Sequence, residues 1–299
     1  MNTTKIKGLI AATVTPMDKN GEINLSPIDS YANYLIDKGV DGVFICGTTG
    51  ESLLMDSEER KKVAEAWMMY SDKLKILIHI GSTSYKISSD LACHAQQIGA
   101  RAISAMGPCF LQPENTHELV MFNKIIAGHA PDTPYYYYHI PMTSGVRINM
   151  LDFLKEAKTE IPTLAGIKYT SYDTMEMQEC IEFEKGTYDI LHGHDEIFIS
   201  GLLLGATGGI GTSYNVTAPL YKKLLSFFYE GKIADAVAIQ SEAVKFIRMM
   251  QRYGNSIVSI KAILNIIGID CGPCRLPLSN LSLTEIKAFE KELLNIEWL

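Results

Sequence analysis

Eight times along this chain a short run with strand character is followed by a stretch of helical periodicity. Few folds accept such a string. The runs are GLIAATVT (8–15), GVFICG (42–47), KILIHIGS (75–82), AISAMGP (102–108), PYYYYHIP (134–141), AGIKYTS (165–171), DILHGHD (189–195) and GGIGTSY (208–214). Between the first of them, SPIDSYANYLIDKG (26–39) sets apolar residues at helical spacing and stops at a glycine. MDSEERKKVAEAWMMYSDK (55–73) opens with Asp56 and Glu59 spaced as a capping box, and SSDLACHAQQIGA (88–100) follows the same plan. Strands that alternate with helices imply a parallel sheet with helices packed outside it.

The repeat therefore predicts an α/β fold, a (β/α)8 TIM barrel over residues 1–217, with a C-terminal helical extension over 218–299 packed on it. ADAVAIQSEAVKFIRMMQRYG (234–254) is the clearest helix of that extension. Periodicity alone leaves a doubly wound open sheet as the rival. The distinction bears on function, because a barrel carries its active site at the C-terminal ends of its strands.

A chain of 299 residues can bury catalytic polar groups without losing its core. Its net charge of −7 argues against a nucleic-acid surface and leaves any anionic substrate dependent on local donors. The N-terminal apolar stretch is too short for a signal-peptide core and is interrupted by Pro16 and Asp18, and no run reaches the length of a membrane helix. The expectation is a cytoplasmic enzyme without membrane or nucleic-acid partners. Cys271 and Cys274 form a C-x-x-C string, but Pro277 follows where a redox motif needs a helix. The expected reading is a loop with two incidental cysteines.

The chemistry concentrates at the strand ends. In AGIKYTS, Ile167 and Tyr169 share one face, while Lys168 and Thr170 share the other. If the apolar pair faces the helices, Lys168 points into the barrel. A desolvated lysine amine is a Schiff-base nucleophile; a lysine paired to a buried carboxylate, or one reaching back to the rim, is the plainer alternative. In PYYYYHIP, Tyr136 and Tyr138 share one face and Tyr135 and Tyr137 the other. Tyr138 lies nearest the strand end, where a phenol can carry a proton beside an imine.

GTTGES (47–52) offers glycines for a backbone nest and the hydroxyls of Thr48 and Thr49, which suits a carboxylate or phosphate. HGHDE (192–196) sets His192 and His194 at strand alternation, a spacing used in metal-dependent hydrolases. The other five of the seven histidines are not grouped with them, and a closed metal site needs three or four convergent ligands. The rival reading makes Asp195 and Glu196 acceptors for a polyhydroxylated substrate. GATGGIGTSYN (205–215) is rich in glycine without the dinucleotide-binding context, and Thr212 adds a hydroxyl there.

Taken in order and spacing, GTTGE, YYYYHIP with its TSGV tail, GIKYTS, GHDE, GATGGIGTSYN and GPCRLPL make the chain resemble the N-acetylneuraminate lyase family over essentially its whole length. That family belongs to the class I aldolase barrels that include dihydrodipicolinate synthase. The resemblance implies a sialic acid aldolase, reversibly releasing N-acetylmannosamine and pyruvate, with no metal or organic cofactor and a homotetrameric assembly. It implies that Lys168 is the Schiff-base lysine and Tyr138 the catalytic tyrosine. By the same resemblance Thr48 and Thr49 bind the substrate carboxylate, and Thr170, Gly193, Asp195, Glu196 and Thr212 contact the sugar tail.

Two departures matter. Thr143 stands where the synthase branch has an arginine for a dicarboxylate, which favours the lyase branch. Phe110 stands where many bacterial members have a tyrosine that reaches a neighbouring subunit, so that hydroxyl is missing. Two alternatives stay open: another 2-keto-3-deoxy sugar-acid aldolase, and a barrel that only binds a small acid.

Overall fold

The structure is a computed structural model describing residues 5–296 and Trp298. Its centre is a closed barrel of eight parallel strands in chain order. They are β1 (Gly8–Ala12), β2 (Gly42–Ile45), β3 (Lys75–His79), β4 (Ala102–Met106), β5 (Tyr135–His139), β6 (Leu164–Tyr169), β7 (Asp189–His192) and β8 (Gly208–Gly211). β8 pairs with β1, Gly8 opposite Gly208 and Ile10 opposite Ile210. The sheet therefore has no free edge, and the open-sheet rival is excluded. Each strand ends two or three residues before the run read from the sequence. Those residues leave the ladder and build the loops of the site.

Side-chain alternation divides the barrel residues into two sets. Ile10, Phe44, Leu77, Tyr136, Tyr138, Leu191 and Ile210 pack inside. Leu9, Val43, Ile76, Tyr135, Tyr137, Ile167 and Tyr169 join the layer between strands and helices. The four tyrosines of β5 split two and two, as alternation requires.

Around the strands run α1 (Ile28–Asp37), α2 (Ser57–Met68), α3 (Tyr85–Gln97), α4 (Thr116–Ala127), α5 (Pro141–Ser144), α6 (Met150–Glu160), α7 (Thr174–Glu182) and α8 (Phe198–Leu204). The capping box of α2 forms in both directions: the Asp56 carboxylate accepts from the Glu59 N–H at 2.8 Å, and Glu59 accepts from the Asp56 N–H at 2.9 Å. Such a cap stabilises a helix start by about 1 kcal/mol. α3 begins three residues before its expected start. Its first turn exposes Tyr85 and Ile87, so the apolar periodicity there gives no signal.

Four further helices follow the last strand: α9 (Tyr214–Tyr229), α10 (Ile233–Arg252), α11 (Ser256–Ile266) and α12 (Leu283–Leu293). α9 is anchored to the barrel by Asn215, whose amide donates to the Ala12 carbonyl at 2.7 Å. Residue 217, where the sequence reading divides the chain, lies inside this helix. After α11 the chain returns to the barrel mouth, where the Met17 N–H donates to the Cys271 carbonyl at 3.0 Å. Among the described residues no helix is long and apolar enough to cross a membrane.

Candidate active site

Lys168 lies on the inward face of β6, opposite Tyr138 of β5 in the strand register. It is 3% exposed and forms no ion pair among the described residues, so it neither reaches the rim nor meets a buried carboxylate. Its nitrogen stands 4.0 Å from the centre of the Phe44 ring and 3.9 Å from that of Tyr138. Burial pushes its pKa down to about 7, against a weaker upward pull from the Asp195 charge. A large fraction is then free amine at neutral pH, the form that attacks a carbonyl.

The Tyr138 hydroxyl lies 3.4 Å from Thr48 Oγ1. Burial raises its pKa above the ordinary phenol value, and the Thr48 contact opposes this in part. The phenol is protonated at rest and can donate to a developing alkoxide or carboxylate. Thr48 and Thr49 sit in the loop after β2. That loop turns through Glu51, whose φ of 59° lies in the left-handed region. The N–H groups of Thr48 and Thr49 make no hydrogen bond among the described residues. With the two hydroxyls they form a compact set of donors for an anion. Thr49 Oγ1 also bonds to Thr212 Oγ1 at 2.7 Å, tying the loop after β2 to the loop after β8.

The rest of the wall comes from the ends of β6, β7 and β8. Thr170 Oγ1 is buried without a hydrogen-bond partner among the described residues. A Cβ on Gly193 would lie 1.9 Å from that oxygen and 2.9 Å from the Tyr169 carbonyl. Only glycine lets the end of β7 pass so close to β6. Asp195 accepts from the Ser213 N–H at 2.6 Å. Glu196 accepts from the Tyr172 hydroxyl at 2.8 Å and lies 3.2 Å from His194 Nδ1. Burial and the neighbouring Glu196 charge raise the Asp195 pKa. Burial also works on Glu196, but the His194 and Tyr172 contacts outweigh it and hold that carboxyl low. Glu196 is therefore the firm anion of the pair.

All nine residues singled out from the sequence, Lys168, Tyr138, Thr48, Thr49, Thr170, Gly193, Asp195, Glu196 and Thr212, line one cavity of about 260 Å³ at the C-terminal end of the barrel. Its outer wall was not foreseen. Ile247, Met250 and Gln251 of α10, with Asn255, Ser256 and Ile257 at the start of α11, close the mouth opposite the strands. Helical periodicity marks these segments as helices. It does not mark which turn will fold back more than 200 residues to meet Thr48.

One expectation is corrected, and the cysteine reading agrees with the structure. His192 and His194 do not share a strand face, because β7 ends at His192. The His192 ring packs edge-on against Phe198 at 6.4 Å, while His194 stacks on Tyr172 at 4.2 Å. Among the described residues no cluster of three or more His, Cys, Asp or Glu side chains is arranged to hold a metal ion. Cys271 and Cys274 are both buried and free. Burial pushes each thiol up to about 12, the reverse of what a redox motif needs.

The profile of the Dihydrodipicolinate synthetase family matches residues 5–296. The chain is 38% identical over 300 residues to the N-acetylneuraminate lyase of Homo sapiens, covering 99% of this chain and 94% of that one. Among solved structures it superposes on the N-acetylneuraminate lyase of Proteus mirabilis with a TM-score of 0.94 at 38% identity, covering 99% of this chain and all of the other. It also superposes on a catalytic-lysine mutant of the Ruminococcus gnavus sialic acid aldolase, with a TM-score of 0.91 at 30% identity and 98% of both chains covered.

Proposed function

The chain belongs to the Dihydrodipicolinate synthetase family, and from that membership and the geometry of its site we propose that it is a lyase, a class I aldolase that cleaves N-acetylneuraminate reversibly to N-acetylmannosamine and pyruvate. The observation that carries this reading is Lys168, desolvated and held near neutral pKa beside Tyr138, with an anion-binding loop within the same cavity.

The open-chain substrate presents a C2 ketone next to its carboxylate. Thr48 and Thr49 hold the carboxylate. The Lys168 amine adds to C2, and the resulting hydroxyl leaves as water with the Tyr138 proton, giving an iminium beside a Tyr138 phenolate. The proton of the C4 hydroxyl passes to Tyr138, directly or through the substrate carboxylate. The C3–C4 bond breaks, its electron pair moves into the iminium, and C4 becomes the aldehyde of N-acetylmannosamine. The resulting enamine is protonated at C3, and water hydrolyses the new iminium to pyruvate and free lysine. The iminium is itself the electron sink, so the route calls for no metal and no organic cofactor.

Thr170, Gly193, Asp195, Glu196 and Thr212 receive the hydroxylated tail. Two carboxylates suit a row of hydroxyl donors and repel a second carboxylate, and Thr143 supplies no cation for one. This sets a sugar acid above a dicarboxylate.

A homotetramer is part of the proposal. Phe110, Leu111 and Met142 are strongly exposed on two segments joined by the Gln112 amide, which donates to the Ser144 carbonyl at 3.1 Å. A cytoplasmic location fits the six unpaired cysteines. Pyruvate release from a panel of keto acids tests the function. Release from N-acetylneuraminate is expected. Release only from shorter sugar acids would assign a different aldolase, and release from none would leave a binding protein.

A further inference from the structure

Glu51 ends the loop that carries Thr48 and Thr49, yet its side chain points away from the cavity described above. Its carboxylate is fully buried. Its backbone is left-handed, a conformation that costs energy for any residue with a Cβ. A buried carboxylate on a strained backbone persists only if its surroundings hold it there.

What holds it comes from the far end of the chain. Lys261 of α11, 2% exposed, places its nitrogen 2.6 Å from Glu51 Oε1 and donates to the Pro273 carbonyl at 2.8 Å. The Arg275 N–H donates to Glu51 Oε2 at 2.7 Å. The Arg275 guanidinium then spans the next turns, bonding Glu59 at 2.6 and 2.8 Å, the Gly21 carbonyl, and the Leu54 carbonyl. Gly272 makes the approach possible: its φ is +62°, and a Cβ there would lie 1.9 Å from the Met17 carbonyl oxygen. The loop is thus gripped at Glu51, Leu54 and Glu59 by residues more than 200 positions downstream.

We propose that Glu51 and Lys261, backed by Arg275, are positioning residues that hold the Thr48–Thr49 loop in its carboxylate-binding shape, so that the C-terminal helices act on the reaction through one buried ion pair. The proposal rests on the reading that this loop binds the substrate carboxylate. Removing either partner leaves an uncompensated buried charge. Without Lys261, the Glu51 carboxylate turns toward solvent and carries its loop backbone with it; without the Glu51 charge, Lys261 withdraws and no longer holds the loop. Removing both charges together relieves the conflict.

The test compares reductive trapping by borohydride of two ketones on Lys168: pyruvate, and acetone, which lacks a carboxylate. The variants are Glu51→Gln, Lys261→Met, the double variant, and Thr49→Ala as a reference for the loop itself. Each single pair variant is expected to lower the pyruvate-to-acetone trapping ratio by about 10- to 100-fold, the usual effect of misplacing a binding group by an ångström. The double variant is expected to recover most of it. A pair needed only for stability would shift the melting temperature and leave the ratio alone. Should Lys261→Met not fold, Glu51→Gln keeps the side-chain shape and the bond from Arg275, and its ratio decides. An unchanged ratio in Glu51→Gln, with a lowered ratio in Thr49→Ala, overturns the positioning role and leaves the carboxylate reading intact. An unchanged ratio in Thr49→Ala overturns the carboxylate reading itself.

Discussion

The side-chain nitrogen of Lys168 lies 3.9 Å from the centre of the Tyr138 ring. The proposed nucleophile and the proposed proton carrier are register partners on adjacent strands, and both are buried. The ring faces hold the nitrogen by packing, not by a counter-ion. It is burial without a counter-ion that makes this lysine give up its proton easily.

Covalent trapping should follow that proton. Only the free amine attacks a ketone, and the Lys168 pKa lies at about 7. Borohydride trapping with pyruvate should rise as pH climbs through about 7 and level off above it, and mass spectrometry should locate the adduct on Lys168. A midpoint in the ordinary lysine range, or an adduct elsewhere, contradicts the mechanism.

The same burial costs stability, with a definite sign. The folded protein releases this proton near pH 7, whereas the unfolded chain keeps it up to 10.5. Between those values the unfolded state binds more protons, so stability rises with pH there. The destabilisation is fully present at and below about pH 7 and fades toward 10.5. Lys168→Met removes it and should raise unfolding free energy at neutral pH by at most on the order of 4 kcal/mol. Thermal melts of both proteins at neutral and alkaline pH check this, the gap narrowing as pH rises. Equal stability at neutral pH would show that the burial carries no such cost.

Tyr138→Phe keeps the ring over Lys168 and removes the hydroxyl beside Thr48. Trapping of pyruvate should continue, while turnover should fall by about 10²- to 10⁴-fold, the range for a positioned acid-base group. Steady-state turnover against single-cycle trapping separates the two. Unchanged turnover would assign the proton to another group.

Glu196→Ala should discriminate between substrates by length. Glu196 lies past β7, across the mouth from Thr48 and Thr49, and is anchored by Tyr172. Loss of one hydrogen bond to a charged acceptor costs about 1.5–3 kcal/mol. Catalytic efficiency on N-acetylneuraminate should fall accordingly, while a short keto acid that never reaches Glu196 should be spared. Equal losses on both would make this wall structural.

Strand order, face and eight of the nine cavity residues were legible because each depends on local pattern; Gly193 came only from the family resemblance. Alternation alone placed Lys168 inward and divided the β5 tyrosines, and chain order placed the loops at one end of the barrel. The misreading at His192 and His194 came from extending that alternation past the last ladder residue, where the backbone no longer obeys it. Gln251, Asn255 and Ser256 stayed invisible for a different reason. Their place at the mouth depends on how α10 and α11 pack, which no short window of sequence specifies. Glu51 was quoted within its motif, but its partners Lys261 and Arg275 lie 210 and 224 residues away.

The pairing of Tyr138 with Lys168 across β5 and β6 has a consequence for how such a protein can change. Their separation is set by the spacing of two hydrogen-bonded strands inside a closed ring, where no loop has leverage. The residues proposed to meet the far end of a ligand, and the rest of the cavity's outer lining, sit instead on strand-end loops and on the turn between α10 and α11. On the proposed function, reactivity and selectivity are thus carried by parts of the chain that can be exchanged separately: the barrel is a fixed tool head, and the turn at Asn255 and Ser256, which lines the mouth, is its interchangeable jaw.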